Sequence, residues 1–133
     1  MLVVAAALIA PDGVVLLQRR PSDAVHGGLW EFPGGKVSDR ETPEFALVRE
    51  LQEELGITIG QGDLEPLGFA SGWTEGESDS RPLVILLYTC ARWAGEPRCL
   101  DGASIDWFDP AVIGSLDMPP LDYPLARQLV SSL

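Results

Sequence analysis

Three glutamates, Glu50, Glu53 and Glu54, recur at the i, i+3 and i+4 spacing that places side chains on one face of a helix. Like charges at this spacing destabilise an isolated helix by roughly 0.2–0.5 kcal/mol per pair, so their presence on one face indicates a use for them. Carboxylates on one rigid turn are typical ligands of Mg²⁺ bound together with nucleotide phosphates. The spacing therefore indicates a divalent-cation site or, alternatively, a solvated acidic helix face.

The helix that carries these glutamates has a clear beginning and end in the sequence. Thr42 is a typical N-cap, Pro43 suits the first helical position, and Gly56 is a typical C-terminal stop. Apolar residues recur at helical spacing on the opposite side and are predicted to face the core: Phe45, Val48, Leu51 and Leu55.

Apolar runs on both sides of this helix predict a mixed sheet. Residues 3–9 and 14–18 are interpreted as a hairpin across the Pro11-Asp12-Gly13 turn. Residues 20–40 are interpreted as a long loop region with a short strand near 29–32. Further strands are expected at four places: 57–59, 64–70, 83–91 and 105–108, of which 83–91 is expected to be the most buried.

The C-terminal part of the chain predicts an acidic loop over 74–79 and two helices that begin at prolines. Pro110 is expected to open a short helix and Pro124 a longer one. The longer helix is predicted to dock on the sheet through three apolar residues: Leu125, Leu129 and Val130.

Composition limits the classes of function. A chain of 133 residues with 46% hydrophobic residues is expected to form one domain over residues 1–133. Its net charge of −11 disfavours a nucleic-acid polymer as partner, and a nucleotide substrate would need a divalent metal to screen the like charge. The apolar N-terminus fits neither a secretory signal nor a membrane span, so a cytoplasmic location is expected, with Cys90 and Cys99 as small buried residues.

A longer pattern surrounds the three glutamates. Gly35 is followed after five residues by Glu41 and after seven more by Arg49-Glu50-Leu51-Gln52-Glu53-Glu54-Leu55-Gly56-Ile57. This spacing resembles the Nudix box, G-x5-E-x7-R-E-U-x-E-E-x-G-U with U a bulky aliphatic residue, at every position. The preceding LWEFPGGK and the stretch ETPEFALVRELQEELGI resemble the MutT-like branch of that family.

The resemblance implies an α+β Nudix fold, with a mixed β-sheet sandwiched between helices (α/β/α). It also implies Mg²⁺-dependent hydrolysis of nucleoside triphosphates to nucleoside monophosphate and pyrophosphate, with Mn²⁺ as a substitute ion. Substrates of the CTP or dCTP type, or oxidised nucleotides such as 8-oxo-dGTP, would fit a role in nucleotide-pool sanitation. Other Nudix substrates, such as ADP-ribose or dinucleoside polyphosphates, and a non-catalytic nucleotide-binding module remain alternatives.

The resemblance also implies roles for residues of the box. The metal ligands would be Glu50, Glu53 and Glu54, with a backbone carbonyl of Gly34 or Gly35 and with Glu41 as an outer ligand or a group behind the ligands. Arg49 would orient a glutamate, and Glu53 or Asp101 would be the general base. Asp101 is shorter than the glutamate of similar enzymes, and a plain turn residue is an alternative there.

The substrate-binding candidates lie outside the three glutamates. Arg20 and Lys36 could contact the triphosphate. Glu31 and Phe32 are candidates because they belong to the LWEFPGGK stretch that resembles MutT-like proteins. Asp122 stands where MutT-like enzymes read the base edge, where Asn is found in strict 8-oxoguanine enzymes and Asp in enzymes resembling CTP pyrophosphohydrolases. The alternative interpretation of Asp122 is an acid that stabilises the N-terminus of the following helix. The expected partner is a nucleotide, with no membrane, and the expected assembly is a monomer or a weak homodimer.

Overall fold

The computed structural model describes residues 1–74 and 79–133; the acidic loop predicted over 74–79 falls largely outside the described residues. Seven strands and three α-helices follow one another in the order β1 (Leu2–Leu8), β2 (Val15–Arg19), β3 (Trp30–Glu31), β4 (Gly34–Lys36), α1 (Pro43–Leu55), β5 (Glu65–Trp73), β6 (Pro82–Cys90), β7 (Ser104–Phe108), α2 (Pro110–Ile113) and α3 (Asp122–Ser132). None of the helices in these described ranges is long and apolar enough to cross a membrane.

The strands form two sheets rather than one. A four-stranded sheet has the order β4-β1-β6-β5, in which β1 and β6 are parallel and the other pairs antiparallel. A three-stranded antiparallel sheet has the order β3-β2-β7. Parallel and antiparallel pairs therefore coexist, as the prediction of a mixed sheet requires.

Strand β1 separates two apolar clusters, because alternate residues of a strand point to opposite faces. Val4, Ala6 and Leu8 pack with the buried side of α1, which includes Leu47, Leu51 and Leu55. Ala5 and Ala7 pack on the other face against residues of the two later helices: Ile113, Leu125, Ala126 and Leu129. The four-stranded sheet thus lies between α1 and the α2–α3 pair, which confirms the predicted α/β/α sandwich.

The signals for α1 are confirmed in detail. The Thr42 hydroxyl accepts a hydrogen bond from the backbone N–H of Phe45, and Pro43 begins the helix. Gly56 ends it with a φ of 70°, a left-handed conformation that glycine adopts without strain. The predicted core face is partly wrong: Phe45 is exposed, whereas Ala46 and Leu47 are buried, because the side of α1 that meets β1 and β4 is rotated from the predicted one.

The predicted hairpin between residues 3–9 and 14–18 is wrong. The two strands share a single antiparallel bridge, between Ile9 and Val15, and then enter different sheets. A turn at Pro11-Asp12-Gly13 is present, but the neighbours of β1 are the distant strands β4 and β6. Residues 20–40, predicted as loop with one short strand, also contain β4.

Other predictions need smaller corrections. Residues 57–59 form one bridge, Thr58 to Ala94, because no neighbouring strand continues there. β6, expected to be the most buried strand, is less buried than β1 or β2. At the surface, Val130 and Cys99 are exposed, whereas Cys90 is buried as expected.

Candidate active site

Glu54 is the most deeply buried of the three helix glutamates. Its side chain lies in the last turn of α1, and the residue is 7% exposed. Nε2 of Gln18 donates a hydrogen bond of 3.4 Å to Glu54 Oε1, whereas Glu54 Oε2 has no hydrogen-bond partner among the described residues. Burial, followed by the nearby charge of Glu50, raises the pKa of Glu54 to about 8. Within the part of the chain that the structure describes, the ionised form of Glu54 therefore lacks the hydrogen-bond donors and the positive charge that would offset its burial.

Glu50 lies against β4. A side chain at Gly35 would place a carbon 2.4 Å from the Glu50 carboxyl carbon, so any larger residue there would displace this carboxylate. Burial also raises the pKa of Glu50, although Arg49 opposes the shift. Glu53, one turn from Arg49, projects into solvent with 59% of its side chain exposed.

Arg49 links the glutamates of the box. Its Nε and Nη2 donate to the two carboxylate oxygens of Glu41 at 2.7 and 2.9 Å. Nη1 donates to Glu50 at 3.1 Å and to Glu53 at 3.4 Å. Glu41 also accepts the backbone N–H of Ser38, and these bonds, those from Arg49 foremost, lower its pKa to about 2. Arg49 therefore contacts the carboxylates of Glu41, Glu50 and Glu53 at once.

The residues of this corner fit a divalent cation. Glu50 and Glu54 crowd together with raised pKa values, and one Glu54 oxygen is buried without a donor. Across 1–74 and 79–133, no three His, Cys, Asp or Glu side chains already converge into a complete cation cage. Mg²⁺ does not need one, because it takes one or two carboxylates and completes its shell with water and substrate phosphates. Hard oxygen donors with excess negative charge are the set that it prefers.

A cleft of about 560 Å³ opens from this corner. Its wall contains most of the predicted site residues: Arg20, Glu31, Phe32, Gly34, Gly35, Lys36, Glu54, Asp101 and Asp122. Glu50 lies behind Gly35, and Arg49 joins it to Glu41 and Glu53 on the adjacent surface. Two aromatic residues, Phe32 and Trp73, line the cleft, whereas Trp30 packs on Phe108.

The segment before β7 covers the end of α1. The backbone N–H groups of Arg98 and Leu100 donate to the carbonyls of Leu55 and Glu54, each at 2.9 Å. This docking satisfies the last carbonyls of the helix and brings Asp101 to the cleft. Asp101 is exposed, and its charge contributes to the raised pKa values of Glu50 and Glu54.

Arg20 follows β2 and holds the opposite wall. Its Nη1 donates to Glu31 Oε1 at 2.8 Å, and its Nε donates to the Val25 carbonyl at 2.7 Å. The guanidinium that was expected to contact phosphate is thus engaged with a carboxylate and with the loop after β2. Burial raises the pKa of Glu31 in spite of this ion pair.

Asp122 begins α3 and is 6% exposed. Its Oδ2 accepts the backbone N–H of Phe32 at 3.1 Å, a bond to the cleft wall rather than to its own helix. Burial, followed by the charge of Glu31, raises its pKa to about 7. The contacts of this carboxylate therefore differ from those of a helix N-cap.

Gln18 was missed by the sequence interpretation. It is buried beside Glu54, and it lies on the same face of β2 as the core residue Leu16. The signal was available: a polar residue stands at a position where the strand alternation predicts an apolar one.

Comparison with known proteins agrees with this geometry. The NUDIX domain family matches residues 1–130. The chain is 54% identical over 131 residues to the CTP pyrophosphohydrolase of Escherichia coli K12, covering 98% of this chain and 93% of that protein. It is 37% identical over 116 residues to the 8-oxo-dGTP diphosphatase of the same organism, covering 86% and 84%.

A solved structure gives the same answer for the fold. The MutT NUDIX hydrolase from Burkholderia pseudomallei superposes with a TM-score of 0.77 at 29% identity, covering 99% of this chain and 97% of that one. Family, relatives and structure agree over nearly the whole chain, and the chain belongs to the NUDIX family.

Proposed function

We propose that this protein is a Mg²⁺-dependent pyrophosphohydrolase that converts nucleoside triphosphates to nucleoside monophosphate and pyrophosphate. The observation that carries the proposal is the buried Glu54 oxygen without a donor, beside Glu50 and at the wall of a cleft of about 560 Å³. Family membership and relatives named as nucleotide pyrophosphohydrolases support it.

Glu50, Glu53 and Glu54 would hold the divalent cation, together with a carbonyl of Gly34 or Gly35. Bound there, Mg²⁺ would supply positive charge to the phosphate oxygens and make water more acidic; Mn²⁺ would serve as well. Glu53 is exposed and can accept a proton from an attacking water. Arg49 fixes Glu41 and Glu50, so the carboxylates keep their arrangement when substrate binds.

The far end of the cleft would select the base. Asp122 and Glu31 offer carboxylate acceptors beside Phe32, and a raised pKa lets Asp122 also donate near neutral pH. Acceptors of this kind suit the exocyclic amine of cytosine, and a donor suits an oxidised purine. The names of the two E. coli relatives cover the same two base classes.

Cationic side chains near the glutamates would meet the phosphates. Lys36 lines the cleft at the end of β4, and Arg20 lines it from the other wall. Asp101 carries negative charge toward the same space, so its proposed role is with metal or water rather than with phosphate. For Arg20, phosphate contact would require exchange of the Glu31 carboxylate for a phosphate oxygen.

A nucleotide panel tests the function. Ribo- and deoxynucleoside triphosphates, 8-oxo-dGTP, ADP-ribose and a dinucleoside polyphosphate would each be incubated with Mg²⁺, and pyrophosphate and phosphate release would be scored separately. The proposal expects pyrophosphate release, with cytidine triphosphates or 8-oxo-dGTP hydrolysed best. Preference for ADP-ribose or the dinucleoside compound, or phosphate release alone, would contradict it.

We also propose that residues 1–133 act as one domain, as a monomer or weak homodimer in the cytoplasm, with no nucleic-acid polymer or membrane as partner. The net charge of −11 supports the exclusion of polyanionic polymers. Light scattering after size-exclusion chromatography would test the assembly, and a titration with labelled DNA would test the partner.

A further inference from the structure

Gln18 occupies a position where an amide is costly. It lies in β2 between Glu31 of β3 and Ile105 of β7, and it is 4% exposed. Neighbouring buried residues of the strand, such as Leu16 and Leu17, are apolar. A buried amide that is not fully hydrogen-bonded destabilises the folded protein relative to an apolar side chain, so its presence here needs an explanation.

The contacts of Gln18 show which way its amide faces. Nε2 faces Glu54 Oε1 at 3.4 Å, which is the orientation that an ionised carboxylate holding a cation would require, because such a carboxylate can only accept. This orientation leaves Gln18 Oε1 and Glu54 Oε2, both buried, without a hydrogen-bond partner among the described residues. Two acceptors without donors therefore lie on adjacent side chains in the cleft wall.

The turn after Asp101 restrains the Gln18 side chain. A side-chain carbon at Gly102 would lie 2.7 Å from Gln18 Cγ and 2.8 Å from the Arg19 carbonyl oxygen. The backbone N–H of Ala103 donates to that carbonyl at 2.9 Å and fixes the turn against β2. Gly102 thus packs closely on the stem of Gln18, and a larger residue there would collide with it.

We infer that Gln18 is a positioning residue for the divalent-cation site. Its Nε2 holds one Glu54 oxygen, which leaves Glu54 Oε2 for the cation and Gln18 Oε1 as an acceptor for water in the same place. The inference rests on the proposed function, because it takes Glu54 as a ligand. A cation and its water are the class of ligand that satisfies two neighbouring acceptors at once.

The test measures cation binding without turnover. Binding of Mn²⁺ alone would be followed by electron paramagnetic resonance of the free ion for the parent and for Gln18→Met, which keeps side-chain length and removes the amide. We expect the Kd for Mn²⁺ to rise about tenfold, within the range found for groups that orient metal ligands. Gln128→Met is the matched control: Gln128 lies on α3 outside the cleft wall and donates to the Phe69 carbonyl of β5, so its substitution should leave the Kd unchanged.

A double-mutant cycle separates positioning from packing. With Glu54→Gln as the second substitution, the effect of Gln18→Met on Mn²⁺ affinity should largely disappear, because Gln18 acts through Glu54. Additive effects would overturn the inference. Gln18→Asn, which keeps the amide but withdraws it by one methylene, should weaken Mn²⁺ binding as well, and it carries the test if the Met variant does not fold.

The outcomes also distinguish this inference from the proposed function. If Glu54→Gln weakens Mn²⁺ binding and Gln18→Met leaves it at the parent value, Gln18 has no positioning role and the cation site stands. If Glu54→Gln itself binds Mn²⁺ like the parent, the cation site is misassigned, and the inference falls with it.

Discussion

Glu41 and Glu54 belong to the same motif, yet they lie in opposite environments. The Glu41 carboxylate accepts two hydrogen bonds from Arg49 and one from the Ser38 backbone, and its pKa falls to about 2. Glu54 is buried with one long hydrogen bond, and its pKa rises to about 8. The difference lies in the number of donors around each carboxylate and in burial. The charge of Glu41 is balanced by Arg49, whereas one oxygen of Glu54 has no partner among the described residues.

Asp122, at the other end of the cleft, is intermediate between these two. It is as buried as Glu54, but it has a backbone donor in Phe32. Its nearest charges are Glu31 and Arg20, so no second carboxylate of α1 shares its site. The same residue chemistry therefore gives an ion pair at Glu41, a buried carboxylate with one unpartnered oxygen at Glu54, and a buried carboxylate bonded to the backbone of Phe32 at Asp122.

Among the tests of this difference between carboxylates, removal of the metal should have the largest effect on turnover. Chelation with EDTA is expected to abolish turnover while far-UV circular dichroism shows little loss of helix. The physical reason is that apolar contacts hold α1 without an ion: Ala46, Leu47, Leu51 and Leu55. Unfolding on chelation would contradict the assignment, because it would indicate a structural metal instead.

Neutralising the cation ligands should come next. Glu54→Gln or Glu53→Gln is expected to lower kcat by at least about a hundredfold with the fold retained, because each removes a ligand charge or the base. Glu65→Gln, the same change at an exposed position of β5, is the control and should retain parent activity. Near-parental kcat of either site variant at saturating Mg²⁺ would exclude the catalytic role of this helix face.

The local signals of the sequence predicted α1 correctly, from the Thr42 cap to Gly56, because capping depends on residues a few positions apart. The same holds for the short strand at Trp30–Glu31 and for the helix that opens at Pro110. The pairing of β1 with β6 could not be predicted in this way. It joins segments about eighty residues apart, and no turn sequence directly connects the two strands to indicate that they pair.

The environments within the site were the hardest feature to predict. Helical spacing placed three glutamates on one face, but it could not show that Glu54 is buried or that the backbone of Arg98 and Leu100 bonds the last turn of the helix. Nor could it show that Gln18, from a distant strand, supplies the donor. Phe45 was misplaced for a related reason, since periodicity does not fix the rotation of a helix on its sheet.

The third prediction concerns the base end of the cleft. Asp122→Ala is expected to raise KM for cytidine triphosphates or 8-oxo-dGTP by about ten- to a hundredfold, the equivalent of one base-edge contact of about 1–3 kcal/mol. Turnover at saturation should change much less, since the proposed phosphate contacts lie near the glutamates of α1 rather than at Asp122. Asp122→Asn should shift preference toward 8-oxo-dGTP, because an amide both donates and accepts.

Steady-state kinetics on both substrates would measure these shifts, with Asp12→Ala in the exposed turn after β1 as control. If both Asp122 variants keep the substrate ranking of the parent and only melt at lower temperature, the base is read elsewhere in the cleft.

Weakening the ion pair between Glu41 and Arg49 should have a smaller effect on turnover. Glu41→Gln removes one charge from the pair with Arg49, and we expect kcat to fall by about tenfold, less than for Glu54→Gln, because substituting a group that orients ligands costs about 10–100-fold. Comparison of the two variants under identical Mg²⁺ concentrations tests the ranking. An equal or greater loss at Glu41 would show that this carboxylate binds the cation directly.

The smallest expected effect is the pH dependence of the metal-free protein's stability that Asp122 contributes. The pKa of Asp122 is raised from 3.8 to about 7, so its folded form retains a proton that the unfolded chain loses. The stability linked to this group is fully present below pH 3.8 and is lost as the pH rises toward about 7. Asp122→Asn removes this loss while an amide oxygen can still accept from the Phe32 N–H.

The difference in Tm between Asp122→Asn and the parent should therefore grow in favour of the variant between pH 5 and pH 8. An increase of at least about 3 °C is expected, since 1 kcal/mol shifts Tm by about 2–8 °C in domains of this size range. Glu31 and Glu54 are also shifted upward, but they are present in both proteins, so taking the difference reduces their contribution. A Tm difference that stays constant across this range would mean that the Asp122 carboxylate is ionised in the folded protein throughout, as Glu41 is.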